Sequence, residues 1–323
     1  MNRRTMIGIG AALLSSAGRA ATGQATSPAD AEVVPLWPSG PPGPPRSLRQ
    51  RLAGASDDRI LTGITAPSLS VYRSSSADGS ALLIVPGGGY MEERIDAEGS
   101  DIARRFNRDG VTAFVLAYRL PNEGWAQGPL APVADALRAM RVIRANAPRF
   151  GIDPARVGAL GFSAGGHLVA SIAVRSTETL YSSADVPLDD IDRADARPSF
   201  FGVGYPVVTM LAPFAHEASR EHLLGKSATI EQRTAWSAER FVTSDTPPGF
   251  LFTAADDPYV PIENTTMLFA AMRAKQVQAE MHIFERGGHG FGLRLPAATP
   301  AASWPDLFLR WGRARSFFRA TNI

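Results

Sequence analysis

The residues best suited to chemistry centre on a serine in the pentapeptide GFSAG, residues 161–165. This G-x-S-x-G sequence lies between an apolar segment that predicts a strand, 156–162, and a segment that predicts a helix, 163–174. In that context the serine occupies a sharp strand-to-helix turn, which exposes its hydroxyl above the sheet. A glycine-rich turn with an incidental serine is the alternative, but the flanking strand and helix favour Ser163 as a nucleophile.

A serine nucleophile needs a base and a group that orients the base. Of the five histidines, His289 follows a predicted strand in a glycine-rich loop, where it can lie over the serine. The acid is expected between serine and histidine in the chain, and Asp256 and Asp257 follow the preceding strand. We prefer Asp257 and keep Asp256 as the alternative, because both lie in one turn. His289 would take the proton of Ser163 during attack on an ester carbonyl.

Backbone donors for a developing oxyanion are predicted in a glycine-rich loop and at the helix start. The segment PGGGY, residues 86–90, follows an apolar run, 81–85, that predicts a buried strand. It matches the H-G-G-G type of oxyanion loop, with proline in place of histidine. We expect the N–H groups of Gly88, Gly89 and Ala164 to form the oxyanion hole. A phosphate-binding loop is the alternative, but no Gly-Lys-Ser/Thr follows.

Two tyrosines at predicted strand ends are candidate substrate contacts. Tyr90 follows the oxyanion loop and Tyr205 ends another strand, although packing in the core explains each of them equally well. His167, one turn into the helix after the serine, is expected to pack rather than to catalyse.

Three charged residues carry structural expectations. Arg119 follows a strand end and either reaches the cleft or bridges loops. Asp135 and Arg138 are three residues apart on a predicted helix. We therefore expect them to form an ion pair, at the surface or between helices, rather than to touch substrate.

From about residue 68 the sequence alternates between strand-like and helix-like runs. Strands are expected at 69–72 (an edge strand), 81–85, 111–118, 156–162, 200–205, 250–254 and 280–284, and helices at 96–109, 132–146, 163–174, 262–275 and 304–319. This order predicts an α/β fold with a mostly parallel central sheet, helices on both faces and a nucleophile elbow. Residues 176–198 and 209–248 break the rhythm and are expected to be excursions at the strand ends, where open α/β sheets bind substrates.

Composition excludes several classes of function. The chain of 323 residues contains no cysteine, which excludes disulfides, thiolate metal sites and a cysteine nucleophile. A net charge of +2 without a run of basic residues gives no indication of nucleic-acid binding. His216 and His222 lack the spacing of a helical zinc site, and no metal or other cofactor is predicted. Beyond the N-terminal segment, no apolar stretch predicts stable membrane insertion.

The N-terminal segment predicts export. Residues 1–21 combine Arg3 and Arg4 with a short apolar run and small residues at a cleavage site, and they resemble a twin-arginine signal. An ordinary secretory signal with two adjacent arginines is the alternative. A periplasmic or extracellular location is therefore expected. Residues 22–50 form a proline-rich lead-in, expected to be partly disordered and pinned by Trp37. Residues 51–323 are expected to form a single domain.

Over residues 35–292 the chain resembles the acetylxylan esterase-like, or BD-FAE-like, carbohydrate-esterase branch of the α/β-hydrolases. The resemblance is carried by LWP at 36–38, PGGGY at 86–90, YRLP at 118–121, DALRA at 135–139, GFSAGGH at 161–167, YP at 205–206, LLG at 223–225, TPP at 246–248, DD at 256–257 and GGHGFGL at 287–293. It implies a one-domain esterase that removes small acyl groups, typically acetyl, from sugar hydroxyls. It also implies a triad of Ser163, Asp257 and His289.

We therefore expect a secreted serine esterase that removes acetyl groups from carbohydrates such as xylan fragments. The alternatives are a promiscuous short-chain carboxylesterase, a feruloyl esterase and, more remotely, a non-catalytic binding module on a hydrolase scaffold. A peptidase of the prolyl oligopeptidase type usually carries a further domain, for which this length leaves no room. The expected ligand is a small ester or an acetylated oligosaccharide, and the sequence predicts no oligomeric state.

Overall fold

The computed structural model describes residues 31–43, 48–176 and 188–319. The predicted export signal, residues 1–21, lies outside these ranges. So do residues 22–30 and 44–47 of the proline-rich lead-in and residues 177–187 of the first predicted excursion. The segment 31–43 carries the part of the lead-in that is described below.

The strands follow the apolar runs of the sequence closely. They are β1 (Glu32–Pro35), β2 (Arg51–Ala55), β3 (Asp58–Thr62), β4 (Ser68–Tyr72), β5 (Ala81–Val85), β6 (Thr112–Ala117), β7 (Val157–Phe162), β8 (Phe201–Gly204), β9 (Gly249–Ala254) and β10 (Ala279–Phe284). Strands β5, β7, β8 and β9 are buried along their whole length. Burial on both faces explains why they are continuously apolar rather than alternating.

Within the described ranges, eight strands form one sheet in the order β1-β4-β6-β5-β7-β8-β9-β10. All pairs from β6 to β10 are parallel, whereas β4 pairs antiparallel with both β1 and β6. The predicted mostly parallel sheet is thus confirmed. The carboxyl ends of β5 to β9 share one edge of the sheet, so the loops that leave these strands meet there.

Helices cover both faces of this sheet, as predicted. They are α1 (Asp101–Asn107), α2 (Leu130–Ala145), α3 (Ala147–Phe150), α4 (Ser163–Arg175), α5 (Glu217–Leu224), α6 (Ile230–Ala235), α7 (Glu263–Ala274) and α8 (Trp304–Arg313). Side chains of β5 alternate between two cores. Leu83 packs in the core that contains residues of α2, α4 and α7, and Leu82 in the core that contains residues of α1 and α8. No described helix has both the length and the apolar character needed to cross a membrane.

Two strand predictions need correction. Strand β4 was expected at the edge, but β1 from the proline-rich lead-in pairs with it and takes that position. Pro35 ends β1, and proline is tolerated on an edge strand because a missing N–H there interrupts no inner ladder. The hairpin of β2 and β3 was not expected, since β2 is exposed throughout and shows no hydrophobic alternation.

Two helix predictions also differ in extent. The helix expected over 96–109 opens with a π-helical turn, Asp96–Ser100, and α1 then ends at Asn107. The last helix ends at Arg313 rather than at residue 319. The chain turns back after α8, so that Phe317 stacks on Phe200 with 4.4 Å between the ring centroids.

A buried cluster of polar side chains attaches the lead-in to the domain. Arg119 and Asp135, both fully buried, form a two-pronged ion pair. Trp37 Nε1 donates to Asp135 at 2.8 Å, and Arg119 Nη1 donates to the carbonyl of Pro42 at 2.7 Å. We call Trp37, Arg119 and Asp135 the Arg119 cluster. Arg119 thus bridges segments and does not line a cleft.

Asp135 and Arg138 both form ion pairs, as expected, but not with each other. Both residues are buried, and their ion pairs join them to other segments. Arg138 pairs with Asp189 and Asp192 and donates Nε to the carbonyl of Leu36. Helix spacing could not indicate these partners, because they come from distant parts of the chain.

Candidate active site

Ser163 stands at the junction of β7 and α4, in the turn that the sequence predicts. Its backbone has φ of +50°, a left-handed conformation that is rare outside glycine. A Cβ on Gly165 would lie 2.2 Å from the carbonyl oxygen of Val85, so only glycine lets α4 approach β5 this closely. The turn presents the hydroxyl at the carboxyl edge of the sheet, where the other loops meet.

His289 connects Ser163 to Asp257. Its Nε2 lies 2.8 Å from Ser163 Oγ and its Nδ1 lies 2.7 Å from Asp257 Oδ2. The Asp257 side chain is fully buried, and its other oxygen accepts hydrogen bonds from the N–H groups of Tyr259 and Val260. A carboxylate only accepts, so Nδ1 carries the imidazole proton and Nε2 is left to accept the serine proton.

Asp256, the alternative acid, has a different place in the structure. Its Oδ1 accepts the N–H groups of Gly287 at 2.9 Å and Gly288 at 2.8 Å. The hydrogen bonds from Gly288 and Gly287 lower the pKa of Asp256. The side chain therefore shapes the loop that carries the histidine, while Asp257 contacts the imidazole itself.

The predicted oxyanion donors lie next to the serine. A Cβ on Gly87 would be 2.9 Å from the Cβ of Ser163, which shows how closely the loop approaches the nucleophile. Gly88 has φ of +133°, and a Cβ there would lie 2.1 Å from the carbonyl oxygen of Glu92. The N–H groups of Gly88 and Gly89 donate to no other atom in the described part of the chain. Ala164 is in the first turn of α4, where N–H groups lack helical partners.

Tyr90 and Tyr205 do not contact the cleft, so their prediction as substrate contacts is wrong. Both side chains are fully buried. Tyr90 Oη lies 2.7 Å from His167 Nδ1, and Tyr205 Oη donates to Glu98 Oε1 at 2.9 Å. Burial raises the pKa of both phenols. Their hydroxyls are used inside the protein, which a strand-end position alone does not reveal.

His167 packs in the interior, as predicted. It is fully buried, and its Nε2 donates to the carbonyl of Trp236 at 2.8 Å, which leaves Nδ1 to accept from Tyr90. Burial lowers the pKa of His167 to about 4. The neutral imidazole thus fastens the residue after the oxyanion glycines to the nucleophile helix.

Sequence reasoning missed a polar stripe on α5 that borders the oxyanion loop. His222 Nδ1 donates to the carbonyl of Gly89 at 2.9 Å, and His216 Nδ1 lies 2.8 Å from Ser219 Oγ. Burial, and then the nearby His289, lower the pKa of His216. Helix α5 belongs to the predicted excursion 209–248, and no pattern in its sequence indicates where it packs.

Tyr259 is a second group that sequence reasoning did not select. Its ring is 66% exposed and lies 5.8 Å from the His289 ring, centroid to centroid, in an edge-on arrangement. An exposed aromatic ring beside the proposed base offers an apolar face to a ligand. In the described residues, no group of three or more metal-ligating side chains could hold a metal ion.

The family is decided by the match of residues 69–272, well over half of the chain, to the BD-FAE family model. This chain belongs to the BD-FAE family. The resemblance seen in its motifs is therefore confirmed at the level of the family. The match spans β4 to most of α7 and includes Ser163 and Asp257, but not His289.

Two curated relatives are each 34% identical to this BD-FAE chain. One is endo-1,4-beta-xylanase B of Butyrivibrio fibrisolvens, aligned over 227 residues, 69% of this chain and 34% of the relative. The other is an acetylxylan esterase of Xylanibacter ruminicola, aligned over 225 residues, 68% of this chain and 43% of the relative. The chain thus spans between a third and a half of the length of these relatives.

Solved structures similar to this BD-FAE chain confirm an α/β-hydrolase fold. An acetyl ester-xyloside bifunctional hydrolase from Caldicellulosiruptor lactoaceticus matches with a TM-score of 0.73 and 31% identity, over 89% of this chain and 97% of the other. A carboxylesterase from Lactobacillus plantarum matches with a TM-score of 0.66 and 25% identity, over 85% of this chain and 100% of the other. Family and neighbours together support the same fold for this chain.

Proposed function

We propose that this chain is a serine esterase that removes small acyl groups, acetyl above all, from carbohydrates such as xylan fragments. One observation carries the proposal: the hydrogen-bonded series from Asp257 through His289 to Ser163, with distances of 2.7 and 2.8 Å. A base that is oriented by a carboxylate and contacts a hydroxyl in a strained turn is the arrangement that activates serine for acyl transfer.

Acylation follows from this geometry. Nε2 of His289 takes the hydroxyl proton while Ser163 Oγ bonds to the ester carbonyl carbon, and the carbonyl oxygen becomes an oxyanion. We assign the N–H groups of Gly88, Gly89 and Ala164 as the hydrogen-bond donors to that oxyanion. When the intermediate collapses, the sugar oxygen leaves with the proton held by His289, and the acyl group stays on the serine.

Deacylation repeats the same steps with water. His289 takes a proton from water, whose oxygen attacks the acyl carbon, and Ser163 leaves with that proton as the free acid is released. Asp257 stabilises the imidazolium in both halves and holds the tautomer that accepts at Nε2. Each step uses only this chain's own residues and water.

The acetylated-sugar substrate rests on two supports. The relatives include a protein named acetylxylan esterase, and the structure with 31% identity is named an acetyl ester-xyloside hydrolase. The exposed Tyr259 lies against the His289 ring, and the partly buried His222 contacts Gly89 of the oxyanion loop, with His216 six residues before it, so aromatic and polar groups adjoin the proposed catalytic loops. Such groups suit a sugar better than a long aliphatic chain, which needs an extended apolar channel.

Acetate release tests this proposal. Purified full-length protein is incubated with acetylated xylo-oligosaccharides, p-nitrophenyl acetate and methyl ferulate, with Ser163→Ala as the control. Acetate release from the oligosaccharides that disappears in the variant is the expected result. Turnover of p-nitrophenyl acetate alone would indicate a general carboxylesterase, the activity named for the Lactobacillus plantarum neighbour. Inertness toward every ester would leave only a non-catalytic role.

Export remains a prediction from residues 1–21, and we propose it together with the carbohydrate substrate. A polysaccharide fragment is met outside the cytoplasm, which agrees with a twin-arginine signal. Replacing Arg3 and Arg4 with lysine is expected to abolish export of the folded chain. Fractionation of cells that express both forms measures the effect, and equal export of the two would contradict the twin-arginine assignment.

A further inference from the structure

A carboxyl group outside the proposed triad lies buried beside the active site. Glu98 belongs to the π-helical turn Asp96–Ser100 before α1, and only 3% of its surface is exposed. π-helical turns are rare and are frequent at functional sites. Glu98 Oε2 accepts the N–H of Gly87 at 2.8 Å, and Oε1 accepts the hydroxyl of Tyr205 at 2.9 Å. Two donors on two oxygens are the pattern of an ionised carboxylate.

These bonds join the two loops on which the proposed chemistry depends. Gly87 immediately precedes Gly88, so Glu98 fixes the start of the oxyanion loop. On the other side, the N–H of Gly292 donates to Tyr205 Oη at 3.1 Å, which turns the phenol proton toward Glu98. Gly292 lies three residues after His289, and the Tyr205 ring packs against the His289 ring with 5.0 Å between centroids.

Glu98 is also electrostatically coupled to the histidine. Burial raises the pKa of Glu98, while the Gly87 N–H, the Tyr205 hydroxyl and then His289 oppose that rise. A negative charge on Glu98 therefore attracts a positive charge that forms on the imidazole during the reaction. The other groups that face His289 are Asp257, Ser163, Tyr205, Tyr259 and His216.

We propose that Glu98 is a positioning residue of this active site: it ties the oxyanion loop to the histidine loop, and its charge stabilises the imidazolium that forms when Ser163 attacks. The inference rests on the proposed function. The tie acts through hydrogen bonds to Gly87 and through Tyr205 to Gly292. The charge acts through space, as a second carboxylate besides Asp257. These two contributions make different predictions for two variants.

Glu98→Gln removes the charge and one hydrogen bond, because an amide nitrogen cannot accept from the Gly87 or Tyr205 donor. We expect kcat for p-nitrophenyl acetate to fall about 10- to 100-fold with little change in KM, since small displacements of reacting groups cost this much. The free enzyme needs a neutral His289. If the charge of Glu98 stabilises the imidazolium, the acid limb of kcat/KM moves to lower pH in this variant.

Tyr205→Phe removes the hydroxyl that links Glu98 to Gly292 and keeps the charge of Glu98. We expect a lower kcat but an acid limb at the wild-type pH. Asp101→Asn is the matched control, because it makes the same charge change just after the turn, on a part-exposed side chain that pairs with Arg104. It is expected to keep the wild-type kcat and acid limb. Circular dichroism and thermal unfolding establish that each variant is folded.

The outcomes separate this inference from the proposed function. A wild-type protein that hydrolyses no ester refutes the function itself. An active wild type whose folded Glu98→Gln variant keeps the same kcat and acid limb overturns the inference alone. A loss of kcat in Glu98→Gln without a shift of the acid limb overturns the electrostatic part. If Glu98→Gln does not fold, Tyr205→Phe is the test. A wild-type kcat in that variant would show that the hydrogen bonds through Tyr205 do not position the two loops.

Discussion

Two polar clusters lie at the same edge of the sheet and differ in which hydrogen-bonding groups remain available to a ligand. The Arg119 cluster follows β6, and the Ser163 site follows β7. In the Arg119 cluster, Arg119 and Asp135 are fully buried, and the guanidinium nitrogens donate to Asp135 and to the carbonyls of Pro42 and Ala131. Around Ser163, the His289 side chain is 15% exposed, and the N–H groups of Gly88 and Gly89 have no hydrogen-bond acceptor among the described residues.

The difference separates stability from chemistry. A buried ion pair whose nitrogen and oxygen atoms all have hydrogen-bond partners can hold segments together, but it offers no donor or acceptor to a ligand. A site that leaves N–H donors and a basic nitrogen near solvent gives up some stability and can bind a reacting group. Substitutions in the Arg119 cluster should therefore change folding, whereas substitutions at the Ser163 site should change turnover.

The largest effect is expected for Ser163→Ala. Removal of the proposed nucleophile should lower kcat about 10⁴- to 10⁶-fold, with only a small change in the free energy of unfolding. A stopped assay of ester hydrolysis measures kcat, and urea denaturation measures the free energy of unfolding. Turnover close to the wild-type value would place the chemistry elsewhere.

Asp257→Asn is expected to lower kcat about 10⁴-fold, because the imidazole would lose the acceptor that fixes its tautomer. Asp256→Asn is the matched control from the same turn. Its Oδ1 accepts the loop amides of Gly287 and Gly288, and an asparagine oxygen can accept them as well, so kcat should stay near the wild-type value. Kinetics of both variants with p-nitrophenyl acetate test the assignment, and a larger loss in Asp256→Asn would reverse it.

Asp135→Ala, in the Arg119 cluster, should lower stability rather than turnover. It leaves Arg119 buried without its carboxylate, which costs about 3–5 kcal/mol of unfolding free energy. The folded fraction should keep its kcat. Asp190→Ala is the control, because Asp190 forms an exposed ion pair with Arg193 and such pairs contribute little. An Asp135→Ala variant as stable as the control would contradict a stabilising role for the cluster.

The smallest expected effect is a pH dependence of stability that originates at His167. Its pKa is about 4 in the folded chain and near 6.5 when unfolded. Between these values the unfolded state binds more protons, so stability is complete above about pH 6.5 and declines toward pH 4, by up to ~3 kcal/mol.

His167→Gln tests this dependence, since glutamine can still donate and accept a hydrogen bond but does not titrate. We expect its unfolding free energy to change less between pH 6.5 and pH 4 than that of the wild type. Denaturation curves at several pH values measure the difference. Identical slopes for the two proteins would show that His167 does not control the acid response.

Much of the fold could be predicted because it depends on local patterns. Continuous apolar runs mark β5, β7 and β9, and the GFSAG turn carries its own steric requirement at Gly165. The strand β1 was missed because proline argues against an inner strand, and at the edge that argument does not apply. The β2–β3 hairpin was missed because an exposed strand has no hydrophobic alternation to detect.

The candidate site, like the fold, could be predicted from the sequence only in part. Chain order and loop chemistry pointed to Ser163 and His289, but two adjacent aspartates could be separated only by their contacts. Whether Tyr205 points outward or inward depends on Glu98, 107 positions away in the chain. Helix α5 meets Gly89 through His222, a contact across 133 positions. Such long-range contacts leave no pattern in a single sequence.

Under the proposed function, Ser163 carries the acyl group taken from an acetylated sugar. The most direct measurement is a titration with diethyl p-nitrophenyl phosphate, which transfers its phosphoryl group to an activated serine and releases p-nitrophenolate. Mass spectrometry of the digested protein locates the adduct while acetate release from acetylated xylo-oligosaccharides is followed. We predict one adduct per chain, on the peptide that contains Ser163, with acetate release falling in proportion to zero. Acetate release that persists when Ser163 is fully modified would contradict the account.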